Sequence, residues 1–426
     1  MALMEEQIRG LAWVQKTFSL EPRWTVEPNP EAIKRTVQLL KPSSTVNFLA
    51  QGAFNKVYDV VIDNEVFIMR ISLPVDPYCK TMKNPVGFEW IFMTKIPGKP
   101  LKEIWRSPSF DRKEYLVGEL ASYAHCLFQN KFWGIGNIYG VKSTLDSKLA
   151  EKIWPVGNPV YPKSLSLSEK EKIPDDLLDV GRIVSMDFFG GSRILQDVDR
   201  GRFGSSRDWI ISRLSPSEKD NQLILDNLPS GDLDSDDEAD ADDATRTLDI
   251  IEKLKGLLPS VFPPGRDDPE VSILFHDDLS SRNILVQDSG ELTAVLDWEC
   301  VSVLPLRSAC YYPALLKGRP KGRPQRLEPD IGRYKLETET EPSDLYWEHL
   351  LEYELTLLRE VFIDRMRILA PEWEDIFHKS QRQRDFDTAV HNCDNEFIAR
   401  YILAWIDDIT AEVENPRSLR DRIDEY

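Results

Sequence analysis

Cysteine is scarce: Cys79, Cys126, Cys300, Cys310 and Cys393 are the only five in 426 residues, and no two form a CxxC pair. An odd, widely spaced set of this kind excludes a disulfide framework and gives no zinc-binding spacing. Histidine is equally sparse, with five residues. No apolar run approaches the ~18 residues that a membrane-spanning helix needs. Met1–Gly10 carries Glu5, Glu6 and Arg9 where a secretory signal would have its apolar core. Positive charge is in deficit, with 53 Lys plus Arg against 72 Asp plus Glu and a net charge of −19. A body this acidic repels phosphodiester backbones. The densest basic stretch, Lys317–Arg326 (KGRPKGRPQR), is rich in Pro and Gly and reads as a solvated loop. The expectation is a cytoplasmic protein with no membrane and no nucleic-acid partner.

Apolar residues, at 41% of the chain, and aromatics, at 10%, supply a sizeable core and exclude wholesale disorder. Ala32–Leu40 reads as a short helix. From Val46 the signals become those of strands: Val46–Ala50, Val57–Val61, Val66–Ile71 and Phe88–Met93, with Asp63-Asn64 as a turn between the second and third. In Arg112–Asn130 the apolar residues Leu116, Leu120, Tyr123, Ala124, Leu127 and Phe128 recur at helical spacing. Gly134–Val180 is irregular, and Arg207–Leu214 and Thr247–Leu258 are short helical candidates. Between these two, Gly231–Asp243 holds eight carboxylates in thirteen residues and reads as part of a solvated, disordered insert over about 215–246. Val271–Phe275, Ile284–Val286 and Thr293–Leu296 are short strands. Leu345–Leu369 and Asn395–Glu412 are helices. Strands early and helices late predict an α+β architecture with a small sheet-based lobe and a larger helical one.

The stretch ILFHDDLSSRNILVQDSGELTAVLDWE (Ile273–Glu299) carries the chemistry. One strand leads into His276-Asp277-Asp278, Asn283 opens the next, and a third ends at Asp297. Phosphoryl transfer needs such a set: one carboxylate to orient a hydroxyl and take its proton, and a second carboxylate with an amide oxygen to hold Mg²⁺ on nucleotide phosphates.

This pattern resembles the H-x-D-x-x-x-x-N … D signature of the aminoglycoside phosphotransferase and choline kinase-like family, distant relatives of protein kinases. LAQGAFNKVYDV (Leu49–Val60) is similar to the phosphate-covering hairpin of its fungal branch, and FEWIFMTKIPGKPL (Phe88–Leu101) to its hinge strand. Arg200–Leu214 and Leu296–Leu316 are also family-like, so the similarity covers most of 46–410. The resemblance implies a two-lobed, protein-kinase-like fold: an extension over 1–45, an N-lobe over 46–93 and a helical C-lobe over 94–426 with its catalytic loop at 276–283. It implies ATP and Mg²⁺ as cofactors and a small-molecule hydroxyl as acceptor. Asp278 would be the catalytic base, Asn283 and Asp297 metal ligands, and His276 a structural residue of the loop. Gly52, Ala53, Phe54 and Asn55 would cover the phosphates, Arg70 would contact them, and the backbone of Thr94 to Ile96 would meet the adenine. Trp90, Trp298, Tyr311 and Tyr312 read as packing residues, and Glu299 as a neighbour of the metal site or a solvated carboxylate.

Two features depart from the family pattern. Arg70 stands where a lysine is expected, with Lys80 or Lys83 as alternatives. Arginine keeps the charge but is bulkier. Ile71 to Gly87 is seventeen residues containing Pro74, Pro77 and Pro85. A three-turn helix plus a strand needs about 16 before any turn, and the prolines disfavour the helix. The first lobe therefore lacks the usual helix and one strand. Three readings stay open: a gene model that skips an exon, a shortened isoform or pseudokinase that binds nucleotide poorly, or an active enzyme rebuilt around Arg70.

Overall fold

Strand pairing in the computed structural model follows the change of pattern seen in the sequence. The structure describes residues 10–16, 20–40, 42–76, 84–140, 178–229, 234–263, 269–299, 301–318, 327–334, 341–414 and 416–424. These fall into two units. One comprises Met1–Ser107, Val184–Val198 and Arg282–Leu296, and the other Pro108–Ile183, Asp199–Ser281 and Asp297–Tyr426. The sequence pattern had put the division at 93/94 and had made 1–45 an extension. The later returns of the chain to the first unit are long-range events that local pattern does not encode.

In the first unit, β1 (Leu11–Gln15) and β2 (Leu20–Trp24) form an antiparallel pair, and Trp24 packs on Phe88 with ring centroids 5.0 Å apart. Helix α1 (Pro30–Leu40) starts where its sequence dictates. The Asn29 side chain accepts from the amides of Glu31 and Ala32 at 3.0 and 3.2 Å, and Pro30 stands in the first turn, where a missing N–H is harmless. Four antiparallel strands follow in spatial order: β3 (Thr45–Gln51), β4 (Asn55–Ile62), β5 (Glu65–Ser72) and β6 (Glu89–Thr94). Asp63 and Asn64 have φ of 49° and 70°, the left-handed turn that matches strand twist in a tight hairpin. Met69 and Ile71 fill the core face of β5. Residues 73–76 and 84–88 hold neither helix nor strand. The rest of the short connection, with Lys80 and Lys83, lies outside the described residues. β7 (Lys99–Pro100) is a two-residue strand.

The second unit opens with α2 (Phe110–Gln129), which buries Leu116, Leu120 and Phe128 as the spacing expects, with Val117 and Ala121 beside them, while Tyr123, Ala124 and Leu127 are half-buried. Its strands are β8 (Lys131–Trp133), β9 (Gly136–Gly140), β10 (Leu178–Gly181) and β11 (Val271–Phe275). After β11 the chain enters the first unit, where β12 (Ile284–Val286) pairs with both β13 (Leu292–Val295) and β7. Back in the second unit, β14 (Ser302–Pro305) completes an antiparallel sheet of order β10-β9-β14-β11-β8.

Helices α3 (Ser206–Asp226) and α4 (Ser235–Val261) form a hairpin, and α4 corrects the reading of the acidic tract. Over 215–226 in α3 and again from Ser235 on in α4, the insert expected to be disordered is helix. Asp234 caps α4, accepting from the amides of Asp236 and Asp237 at 3.0 and 2.9 Å. Asp236, Asp237 and Glu238 sit in the first turn, where the helix dipole favours negative charge. The charges that repel along a chain thus stabilise a helix when they gather at its N-terminus. Asp234→Ala should cost about 1 kcal/mol of stability, measured by urea denaturation. A cost below 0.3 kcal/mol would mean that packing alone orders this turn.

The core of the second unit lies where α3 and α4 meet α7 (Gln381–His391) and α8 (Glu396–Thr410), preceded in the chain by α5 (Asp344–Leu369) and α6 (Pro371–Lys379). Lys113 of α2 and Glu354 of α5 form a buried ion pair at 2.7 Å. Cys126, Cys310 and Cys393 form no disulfide. Among the described residues no helix is long and apolar enough to cross a membrane.

Candidate functional site

In the first unit, the loop Gly52–Asn55 closes the β3–β4 hairpin. Gly52 donates its amide to the Asn55 carbonyl at 2.8 Å, the Phe54 carbonyl accepts from Leu73 at 2.8 Å, and the Asn55 side chain accepts from Ser72 Oγ at 2.6 Å. Gly52 and Ala53 are exposed. Phe54 is anchored edge-on to Trp13 and Phe189, with centroids 6.2 and 6.0 Å apart, so the loop is held at its base and open at its tip. Arg70 pairs in register with Val57 on one side and Ile91 on the other. Residues directly opposite across a sheet share a face, so Arg70 lies on the face that carries Asn55 and Ser72. Glu89, opposite Ser72, is on that face too, one diagonal step from Arg70. The sequence had offered no acidic partner for Arg70. Glu89 supplies a candidate that only the β5–β6 register reveals.

Thr94 ends β6, the edge strand of its sheet. Lys95 spends its amide on the Val66 carbonyl at 3.3 Å. Backbone groups alternate in direction along a strand, which turns those of Thr94 to the open edge and leaves Ile96 beyond it, exposed. Asn283 precedes β12, and its carbonyl accepts from the Leu296 amide at 2.7 Å, fixing the loop end just before Asp297.

In the second unit, β11 delivers His276, which is 3% exposed. Its ring stands edge-on to Trp298 at 5.2 Å, and Trp298 meets Tyr123 at 5.9 Å. Tyr123, His276, Leu279, Tyr311 and Trp373 line a cavity of about 30 Å³, room for one water. Asp277 and Asp278 form the turn that follows, closed by the Ser280 amide on the Asp278 carbonyl at 2.8 Å. Burial raises the Asp277 carboxyl, against the opposing pull of His276 and Lys317. Asp297 adopts φ of 60°, a left-handed conformation that aspartate tolerates better than most residues. Backbone strain of this kind concentrates at functional positions. Tyr311 and Tyr312 pack on each other and on Phe377, with centroids 5.0–5.8 Å apart, as packing residues should.

His276, Asp278 and Asp297 therefore belong to the second unit. Gly52–Asn55, Arg70, Thr94, Ile96 and Asn283 belong to the first. Among the described residues no three His, Cys, Asp or Glu side chains cluster closely enough to hold a metal by themselves. Asn283 offers an amide oxygen in the first unit and Asp297 a carboxylate in the second, each a hard donor of the kind Mg²⁺ takes. The Pro- and Gly-rich run in the sequence puts Lys317 at the start of a solvated loop. Instead it is half-buried, with its ammonium 5.7 Å from the Phe275 ring and 5.8 Å from that of Tyr311. The family-like stretch in the sequence stops at Leu316, one residue short of it.

Residues 196–306 match the model of the phosphotransferase enzyme family, the family that the sequence resembles. That segment contains His276, Asp278, Asn283 and Asp297. Two subtelomeric hrmA-associated cluster proteins of Aspergillus fumigatus, from two strains, are each 22% identical over 296 residues, covering 61% of this chain and 52% of theirs. A clavilactone A biosynthesis cluster protein of Ampulloclitocybe clavipes is 52% identical over 44 residues, covering 10% of this chain and 11% of that protein. The chain spans about half the length of the Aspergillus relatives it matches. Solved structures with some likeness include a thermostable mutant of aminoglycoside phosphotransferase APH(4)-Ia with ADP and hygromycin B, at 12% identity and TM-score 0.37 over 90% of this chain and 100% of that one. Choline kinase from Cryptosporidium parvum has 12% identity and TM-score 0.29 over 89% of this chain and 100% of that one.

Proposed function

We propose that the chain is an ATP- and Mg²⁺-dependent phosphotransferase that moves the γ-phosphoryl group to a hydroxyl of a small molecule. The observation that carries this reading is the order His276-x-Asp278-x4-Asn283 … Asp297 on strand ends inside the segment that matches the phosphotransferase family. Asp278 orients the acceptor hydroxyl and takes its proton. The hydroxyl oxygen then bonds to the γ-phosphorus, the bond from that phosphorus to the β–γ bridging oxygen breaks, and ADP leaves with the electron pair. Asn283 and Asp297 hold Mg²⁺, which neutralises charge on the phosphate oxygens when bound. The Gly52–Asn55 loop covers the phosphates. Arg70 contacts them, with Glu89 on the same sheet face to orient its guanidinium. The outward backbone groups of Thr94, with Ile96 just beyond, suit the edge of an adenine. The location that accords with this chemistry is the cytoplasm.

The test is thermal unfolding with and without Mg·ATP. At 100 times its Kd the ligand adds about 2.7 kcal/mol to native stability, a shift of a few degrees. Asp297→Asn keeps the side-chain shape and tolerates the positive φ but weakens the metal site, so the shift should shrink or vanish. A wild-type protein that unfolds cooperatively with no Mg·ATP shift would sink the reading. The absence of helix and strand from 73–76 and 84–88 favours a second reading, a nucleotide-poor pseudokinase acting as a binding module. That reading predicts no metal-dependent shift.

A further inference from the structure

We propose that Lys317 contacts the phosphoryl group being transferred, as a cation built into the helical unit beside Asp278. The proposal rests on the phosphotransferase reading above. Lys317 does not reach its place by chance of a loose loop. The single turn Ala314–Leu316 that precedes it is tied to the loop bearing Asp278, because the Leu315 amide donates to the Leu279 carbonyl at 2.8 Å. Two arginines fix the same segment from behind. Arg359 Nε donates to the Leu316 carbonyl at 2.7 Å, and Arg420 Nη2 donates to the Lys317 carbonyl at 2.7 Å. Gly318 follows with φ of 74°, and any Cβ there would run into the Arg359 and Glu352 side chains. Glycine suits this corner because of its positive φ, and hydrogen bonds to the carbonyls of Leu316 and Lys317 hold the backbone on both sides of the Lys317 Cα.

The side chain then turns to Phe275 and Tyr311, its ammonium 5.7 and 5.8 Å from their ring centroids. Both carboxylates act on the ammonium at a distance, and neither hydrogen-bonds it. Burial pushes the Lys317 ammonium below its ordinary value, a trend that Arg420 reinforces. A half-buried cation near two carboxylates, hydrogen-bonded to neither, keeps its donors open to a further negative group. The catalytic loop's one arginine, Arg282, falls in the first unit, so the turn His276–Ser281 in the second holds no lysine or arginine. In phosphoryl transfer the negative group that arrives beside the base is the γ-phosphoryl, whose equatorial oxygens carry the charge. Lys317 forms and breaks no covalent bond in this step. It donates hydrogen bonds to a phosphoryl oxygen while the proton of the acceptor goes to Asp278.

The experiment compares calorimetric affinities for Mg·AMP-PNP and Mg·ADP in the wild type, Lys317→Met and Lys317→Arg, using the full chain. The wild type should prefer the triphosphate analogue. Lys317→Met should lose that preference by about tenfold or more, the size expected of a charge-assisted hydrogen bond, with Mg·ADP affinity unchanged. Lys317→Arg should restore part of it. If Lys317→Met fails to fold, Lys317→Gln, which keeps a polar end, takes its place with the same expectation. A preserved preference, or an equal loss for both nucleotides, overturns the proposal while leaving the phosphotransferase reading intact. A wild type that binds neither nucleotide overturns that reading, and the role of Lys317 falls with it.

Discussion

Asp278→Asn should lower turnover on the order of 10²–10⁴-fold, the range for removing a general base, with the KM for Mg·ATP unchanged. Asparagine matches aspartate in shape and still accepts a hydrogen bond from the acceptor hydroxyl, but it cannot take the proton. The turn is closed by the Asp278 carbonyl, which accepts from the Ser280 amide at 2.8 Å, and Asp278→Asn leaves that bond in place. The fold should therefore keep its stability within about 0.5 kcal/mol. ADP release in a coupled assay measures the effect, with water as the baseline acceptor before others are screened. A drop in kcat alone marks an interaction made in the transition state, whereas a rise in KM alone would mark ground-state binding. Undiminished turnover in Asp278→Asn would remove the base from the mechanism. The same assay on Asp277→Asn separates the two neighbours, because Asp277, whose carboxyl burial already raises, has no proposed part in proton transfer.

How much of this was legible in the sequence depends on the range of the interaction concerned. The hairpin at Asp63-Asn64 was readable because two residues that tolerate positive φ suffice to make it. Helices α2, α5 and α8 were readable because a buried stripe repeats within each of them. The acidic tract was misread because charge density was weighed without position. Asp234 and the three acids after it sit at a helix start, and buried Ala244, Thr247, Ile250 and Ile251 follow to hold that helix down. The residue types of the site were readable as well, since His276, Asp278, Asn283 and Asp297 stand at fixed spacing. Three things were not. Glu89 meets the face of Arg70 only through strand register. Residues 282–296 leave the unit that flanks them, which no local signal announces. Lys317 acquires its setting from Arg359, Arg420 and Leu279, all far from it in the chain.

The largest loss of stability should come from the helical core, at Phe386. Its side chain is 0% exposed and meets Phe262 edge-on at 5.3 Å and Trp405 at 6.2 Å. Aromatic pairs in this geometry add to the area they bury. Around them lie Ile210 and Leu214 of α3, Ile250, Leu254 and Leu258 of α4, and Ile402 and Ile406 of α8. Helices from four parts of the chain thus converge on one ring, and none of them can move in to fill its space without parting from the others. Phe386→Ala should cost about 3–5 kcal/mol, transfer and cavity together. Phe386→Leu, which retains most of the volume, should cost well under half as much. Urea denaturation reads both as shifts in midpoint at constant slope. A cost for Phe386→Ala below about 1.5 kcal/mol would mean that the helices collapse into the space, contrary to their convergence on it. Because Phe386 belongs to the core that supports β11 and the Asp278 turn through α7 and the turn Leu306–Ala309, the folded fraction of Phe386→Leu should keep its nucleotide affinity. Asp278→Asn should show the converse, with stability retained and turnover lost.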